Sequence, residues 1–422
     1  MKKPDAETGL SALRSLLFDR SLIGPLRIMG ERVGKFFQIP LPGFKPYVVF
    51  GPENVRKVLI TESSKFRWRN NDPVRDVLQK GVLVTDGDEH DRYRSLMEKM
   101  LHPGVLPQYK EMMLRQTDRV TDTWQNGQTV DMLVEARKIA LLIVMEALFS
   151  VDVWQDIPLL WNPILKAIEY ISPGLWIFWR KMPRFGYKRS FKIIDDYLFG
   201  IIHRRRASLE KKQDLLQHLI DAGLSDQIIR DQMLTMLIAG HDTSTALLAW
   251  IFAMLAKDPS VYEKLNLAME NAEEDKQPHL LEEVIKETLR LYPPIHIGNR
   301  MVAEEVSFGE GETIPAGERL FYSIYLTQRD PDLWEKPDDF CPERFQPGAR
   351  TNAMSYIPFG GGSRACIGSA FGMMEARTTL AHLLHGFTFE PMNADKIHLH
   401  MGATLEPHPG VLMRVSRKAR TL

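Results

Sequence analysis

A mainly α fold with small β-sheets is what the sequence predicts, on three observations. Apolar residues recur at helical spacing through long runs between about Asp88 and Arg290. After Pro293-Pro294 the pattern turns to short extended runs cut by Gly and Pro. Residues 35–50 alternate and end in Gly51-Pro52, the pattern of a small hairpin. In chain order, helices are expected at Glu53–Ile60, 88–101, 105–126, 131–150, 188–207 and 226–257. The last is the longest, apolar through Met233, Leu237, Ile238, Leu247, Leu248, Trp250 and Ile251. Extended runs at 299–308 and 318–326 follow, separated by Gly309-Glu310-Gly311 and Pro315-Ala316-Gly317. A helix at 367–385 and strands near 386–390 and 397–417 close the chain. No repeat or polar linker interrupts it, so residues 1–422 read as one domain.

Composition removes several function classes. Of 422 residues 44% are hydrophobic, enough for a large core, and 54 Lys plus Arg balance 54 Asp plus Glu. A zero net charge favours no nucleic-acid partner, whose capture rests on a basic surface. Two cysteines, Cys341 and Cys366, make no disulfide framework and point to a reducing setting. Lys2 and Lys3 are followed by Asp5, Glu7, Arg14, Asp19 and Arg20, so the start lacks a signal-peptide core and a membrane span of roughly 20 apolar residues. A cytoplasmic location is the expectation.

The chemistry gathers at one loop. Residues 359–368 read Phe-Gly-Gly-Gly-Ser-Arg-Ala-Cys-Ile-Gly, directly before a helix at Ser369–His385. The glycines allow turns that a Cβ would forbid and let a flat ligand approach the main chain. Cys366 then stands at a helix start, where free N–H groups and the dipole are expected to lower its thiol pKa. A lone cysteine beside a glycine turn is more often simply buried, and zinc lacks the clustered Cys/His partners it needs. One thiolate without protein companions suits haem, whose porphyrin provides four ligands.

The stretch Phe359-x-x-Gly362-x-Arg364-x-Cys366-x-Gly368 matches every fixed position of the haem-binding motif of the cytochrome P-450 family, and the chain resembles that family on this basis. The resemblance implies haem b held between a long oxygen-binding helix and the helix after the cysteine loop, with Cys366 on the iron. It places Phe359, Gly360, Arg364 and Gly368 around the cofactor.

Within the long helix stands Ala239-Gly240-His241-Asp242-Thr243-Ser244. Thr243 lies one turn after Ala239, so its hydroxyl can bond back to that carbonyl, and Gly240 weakens the helix at the same point. A local opening there is expected. A mid-helix Gly and Thr are commonly packing residues, and Asp242 could be a solvated charge. The segment is nevertheless similar to the family's acid–alcohol pair, which implies Ala239 beside the haem and Asp242 and Thr243 as proton-handling residues.

Glu287 and Arg290 share a helical face, and a Glu-x-x-Arg match alone means little, since Glu53…Arg56 and Glu89…Arg92 match too. Only the first precedes Leu291-Tyr292-Pro293-Pro294 and lies upstream of Pro342-Glu343-Arg344-Phe345. That order resembles the family's Glu-Arg-Arg network and implies Glu287, Arg290 and Arg344 as a structural set. For the haem propionates the resemblance offers His90, Arg94, Arg300 and Arg364, which otherwise read as surface charge. For the substrate wall it offers Leu83, Val84, Ala239, Ile295, Ile297, Ala403 and Thr404, mostly apolar.

Residues 171–187 hold Trp176, Ile177, Phe178, Trp179 and Phe185 among Arg180, Lys181 and Arg184. This reads first as a roof over the pocket and second as a peripheral membrane contact. The resemblance thus implies an O₂-dependent monooxygenase for a hydrophobic small molecule, such as a lipid, terpenoid, steroid or polyketide. Electrons would come from NAD(P)H through an external ferredoxin or flavodoxin with its reductase. The alternatives are a haem-thiolate peroxygenase or isomerase, which tend to lack the acid–alcohol pair, and a gas sensor without turnover.

Overall fold

The computed structural model describes residues 4–19, 21–39, 44–68, 73–173, 184–272, 277–309, 311–349 and 352–418. At its centre the helix Asp226–Lys257 runs 32 residues without a break. Ser225 caps its start by accepting the Ile228 N–H at 3.4 Å. A helix apolar around its whole circumference has no solvent face, so it is buried on every side. From Ile229 to Ala256 all but Ala239, Gly240 and Thr243 are buried. Its main partner is the helix Met132–Phe149, capped by Asp131 accepting the Leu133 N–H at 3.0 Å. The helical body also includes Gly87–Leu101, Lys110–Thr121, Ile157–Ile171, Tyr187–Ala207, Leu215–Asp221, Pro259–Glu270, His279–Leu291 and Ser369–Gly386.

The strands tie chain ends together. Phe36–Gln38 and Tyr47–Val49 form the antiparallel hairpin expected from residues 35–50. They join a five-stranded sheet in which Tyr47–Val49 runs parallel to Arg319–Ser323, followed by Ile297–Val302 and Phe66–Arg67. A second hairpin, His398–Met401 with Leu405–His408, brings its tip against the long helix. There Trp250 donates from Nε1 to the Leu405 carbonyl at 3.0 Å and stacks on Tyr292, centroids 3.6 Å apart.

Departures from the expected elements have local causes. The run 105–126 opens as a 3₁₀ turn, Pro103–Tyr109, with Pro107 inside it, and becomes α-helical only at Lys110. The helix at 53–60 divides into Pro52–Arg56 and a π turn Lys57–Thr61. The run 299–308 breaks at Ala303-Glu304-Glu305 into two strands, and 397–417 is three strands. Helices at Ala6–Asp19 and Ile23–Val33, absent from the sequence reading, pack on one another. Of 171–187, residues 174–183 lie outside the described residues; Arg184 stacks on the Tyr170 ring at 4.2 Å and Phe185 is exposed.

One clamp connects this scaffold to the cysteine loop. Arg290 donates to both Glu287 oxygens, at 2.7 and 2.8 Å, with both residues fully buried. Its remaining N–H groups reach the carbonyls of Gln328, Pro337 and Asp339. Arg344 Nε and the Cys341 N–H also donate to Glu287 Oε1, at 3.3 and 2.9 Å. The structure thus brings Glu287, Arg290 and Arg344 together. A buried carboxylate left without its cation is heavily penalised. Arg290→Ala should therefore cost about 3–5 kcal/mol in urea unfolding. A loss no larger than that of Lys192→Ala, at the exposed Lys192–Asp196 pair, would refute the clamp.

Candidate active site

The cysteine loop is built on two left-handed glycines. Gly360 (φ 68°) and Gly362 (φ 65°) need that region, whereas Gly361 is extended. At Gly362 a Cβ would also fall 2.0 Å from the Leu59 carbonyl oxygen, in the π turn. The turn closes with the Cys366 N–H donating to Phe359 O at 2.8 Å and Ala365 N–H to Gly362 O at 3.0 Å. Gly368 differs: its φ of −91° is ordinary, and no protein atom lies within 4 Å of a Cβ built there. No protein contact demands glycine at that position.

The helix begins at Ser369 with Gly368 as its cap, so Cys366 lies just outside it. Burial raises the Cys366 thiol above its ordinary value, outweighing the Gly368 N–H and the Arg94 charge, which favour the thiolate. A coordinated cation reverses that balance, because a coordinating thiol is deprotonated outright. The Cys366 surface remains accessible.

Beside the loop the cations converge. His90 is buried on the helix Gly87–Leu101, its Nδ1 2.8 Å from Asp91. Burial lowers its pKa, and the Arg364 and Arg94 charges add to that while Asp91 opposes it. Arg94 Nη1 donates to the Ala365 carbonyl at 2.8 Å, joining this helix to the loop. Arg364 donates to Thr85 O at 2.7 Å and Asp86 Oδ1 at 2.5 Å. Burial lowers Arg364 too, with Arg300 and Arg94 adding to the effect against Asp86 and Asp91. Arg300 is buried over the Tyr322 ring, 5.3 Å from its centroid. Clustered like charges form a natural seat for anions. An accessible sulfur, a backbone open at Gly368 and this cationic cluster fit haem and its two propionates. Among the described residues no group of three or more His, Cys, Asp or Glu could hold a bare metal ion.

On the long helix, Thr243 donates from Oγ1 to the Ala239 carbonyl at 2.7 Å. Ala239 is exposed and Gly240 and Thr243 half-buried, a single open notch in a buried helix. The expected opening is therefore a gap in side-chain cover, not a break in the backbone. Asp242, about 100° further round the helix than His241, is buried, and its Oδ2 accepts from Thr404 Oγ1 at 2.9 Å. Burial and the Glu406 charge push the Asp242 carboxyl well above the usual carboxylate range, against the Thr404 bond and Arg137. Arg137 grips both Glu406 oxygens, at 2.6 and 2.7 Å. Ser244 donates to Glu375 Oε2 at 2.6 Å, and burial raises Glu375 to about 8.

The wall residues divide. Leu83, Ile295 and Ala239 are exposed, and Ile297 and Ala403 half-buried. Val84 and Thr404 are corrections. Val84 is fully buried in the apolar cluster with Tyr93 and Met97, and Thr404 is buried with its hydroxyl committed to Asp242. Neither presents surface to a ligand. The sequence reading also missed Arg137, Glu406 and Glu375, whose partners lie far away along the chain and leave no spacing signal.

A model of the cytochrome P-450 family matches residues 26–414. The chain belongs to the cytochrome P-450 family. It is similar to a pentalenene oxygenase of Streptomyces avermitilis, 28% identical over 92% of this chain and 91% of that protein. It is also similar to a cyclooctatin synthase of Streptomyces melanosporofaciens, 27% identical over 83% and 82%. A Mycobacterium tuberculosis protein named as a cytochrome P-450 is 31% identical over 72% of this chain, which spans 66% of that protein. The crystal structure of the cytochrome P450DA haem domain superposes with a TM-score of 0.83 at 20% identity, covering 93% of this chain and 92% of that one. In this cytochrome P-450 the mainly α fold with small sheets is thus the family fold. Among the described residues one helix, Asp226–Lys257, is long and apolar enough to cross a membrane, but 83% of that window is buried inside the protein.

Glu375 makes this site pH-sensitive in stability. Its folded pKa, about 8, lies above the unfolded value of about 4.3, so the unfolded chain releases its proton first as pH rises. Its contribution to folding is full below about pH 4.3 and is lost as pH rises to about 8. Glu375→Gln removes that loss, so the variant's stability relative to the parent should grow by a few kcal/mol between about pH 5 and pH 8. A difference flat with pH would contradict the burial of this carboxyl.

Proposed function

We propose that this cytochrome P-450 monooxygenase hydroxylates a hydrophobic small molecule of the lipid, terpenoid, steroid or polyketide kind, with electrons from a ferredoxin or flavodoxin and its reductase. The names of two relatives, pentalenene oxygenase and cyclooctatin synthase, favour a terpenoid. The observation that carries the reading is the notch at Ala239 and Thr243, a hydroxyl flanked by a buried acid on an otherwise closed helix. NAD(P)H is the ultimate donor, reached through that partner.

Cys366 would hold the haem iron through its thiolate, between Phe359 and Gly368. His90, Arg94, Arg300 and Arg364 would hold the propionates, and Gly360 gives the loop its left-handed turn. Bound there, haem supplies the activation of O₂ and the oxidation of a C–H bond, helped by electron donation from the thiolate. The chain's own part is positioning and proton supply. The Ala239 carbonyl accepts a hydrogen bond from the Thr243 hydroxyl and fixes its rotor, which leaves the Oγ1 lone pairs able to accept. Asp242, raised by burial, keeps a proton available near neutral pH. Leu83, Ile295, Ile297 and Ala403 offer apolar surface to the substrate and exclude water. Peripheral membrane contact through 171–187 remains the second reading of that stretch, with the exposed Phe185 in its favour.

Reduced protein with CO should show the strongly red-shifted Soret band of a thiolate ligand, and Cys366→His should lose it. A band at the histidine-ligated position in active parent protein would sink the Cys366 assignment. An apolar compound selected by its Soret spin-state change then allows turnover with a surrogate ferredoxin and reductase. Thr243→Ala should divert most of the consumed NADPH to peroxide, and an unchanged product-to-NADPH ratio would rule out its role.

A further inference from the structure

The Asp242 carboxyl is anchored by one side chain from outside its own helix. Thr404 and Asp242 are 162 residues apart, both buried, with Thr404 Oγ1 donating to Oδ2 at 2.9 Å. The other oxygen, Oδ1, is buried without a hydrogen-bond partner among the described residues. A buried polar atom left without a partner is costly, and a catalytic role is one reason for a protein to keep one.

Thr404 is itself held on several sides. It stands at the tip of the hairpin of His398–Met401 and Leu405–His408, where the Gly402 N–H donates to its carbonyl at 2.9 Å. The next residue, Leu405, donates its N–H to Pro294 O at 3.0 Å and accepts from Trp250 Nε1 at 3.0 Å. Two residues after Thr404, Glu406 is gripped by Arg137 from the helix Met132–Phe149. The Arg137 carbonyl also bonds the His241 ring, beside Asp242. The hairpin tip is thus locked to both helices before Thr404 reaches across, and the aim of its hydroxyl is set by the fold.

We infer that Thr404 is a positioning residue for the reaction: its hydroxyl, carried on a hairpin clamped by Arg137–Glu406 and Trp250–Leu405, pins Asp242 Oδ2 so that Oδ1 is the oxygen that exchanges the proton. This rests on the reading of Asp242 as the proton-handling acid. The charged groups facing the carboxyl are Glu406 and Arg137, with His400 opposite Glu406 on the hairpin. The Thr404 bond favours the carboxylate, whereas the Glu406 charge disfavours it.

The test is an infrared pH titration of the resting holoenzyme, following the C=O band that disappears in Asp242→Asn. Thr404→Val, which keeps the shape and removes the hydroxyl, should move the midpoint up by about one pH unit, and Thr404→Ser should restore it. Glu406→Gln should move it down. Opposite shifts cannot come from general loosening of the hairpin, and the Glu406→Gln arm stands even where Thr404→Val does not fold. A midpoint unmoved in Thr404→Val, or moved the same way in both variants, overturns the inference. The underlying reading is tested separately with the compound chosen by spin-state change. If Asp242→Asn leaves product per NADPH unchanged while the infrared shifts occur, the acid does not serve turnover, and Thr404 positions a carboxyl without that role.

Discussion

Two full charges buried together carry the geometry of the whole site. Glu287 and Arg290 neutralise one another with no solvent exposure, and Arg290 then spends its remaining donors on the backbone of 328–339. Gln328 relays that order: its amide donates to the Leu289 and Arg290 carbonyls, and its Oε1 accepts the Ile357 N–H at 2.8 Å. The Ile357 carbonyl receives the Gly360 N–H at 3.0 Å, and the cysteine loop begins. Each link is a buried donor or acceptor that finds no water if the previous one is lost. A helix far along the chain from Cys366 therefore decides where its sulfur stands.

The site separates its charges by depth. Cations gather by the cysteine loop, where Asp86 and Asp91 only partly balance Arg94, Arg300 and Arg364. Behind the notch in the long helix the acids are buried and shifted upward, Asp242 with Glu406 near it and Glu375 on Ser244. His241 and His296 are held neutral there by burial, each lowered to about 4. Anion-seeking groups on one side and proton-retaining acids on the other suit a cofactor with carboxylates at its rim and proton demand at its face.

Much of this was legible in the primary structure. The apolar run 226–257 coincides with the long helix Asp226–Lys257, which the structure closes with Ser225 and Asp258. The Thr243 bond to Ala239 follows from helical spacing alone. The Glu287 and Arg290 pairing is likewise local, three residues apart. The N-terminal helices leave no clear period in the sequence because charges interrupt their apolar faces. The turn of 3₁₀ at Pro103–Tyr109 is hidden because Pro107 sits inside a run that otherwise keeps helical period.

By itself the sequence determined the cysteine loop, the notch helix and the mainly α class, since each depends on contacts within a few residues or on one periodic face. Tertiary structure alone decided that Val84 lies behind the wall and that the Thr404 hydroxyl is committed to Asp242. The reason is common to both. Desolvation and long-range hydrogen bonds depend on which distant segments meet, and no spacing along the chain records that meeting.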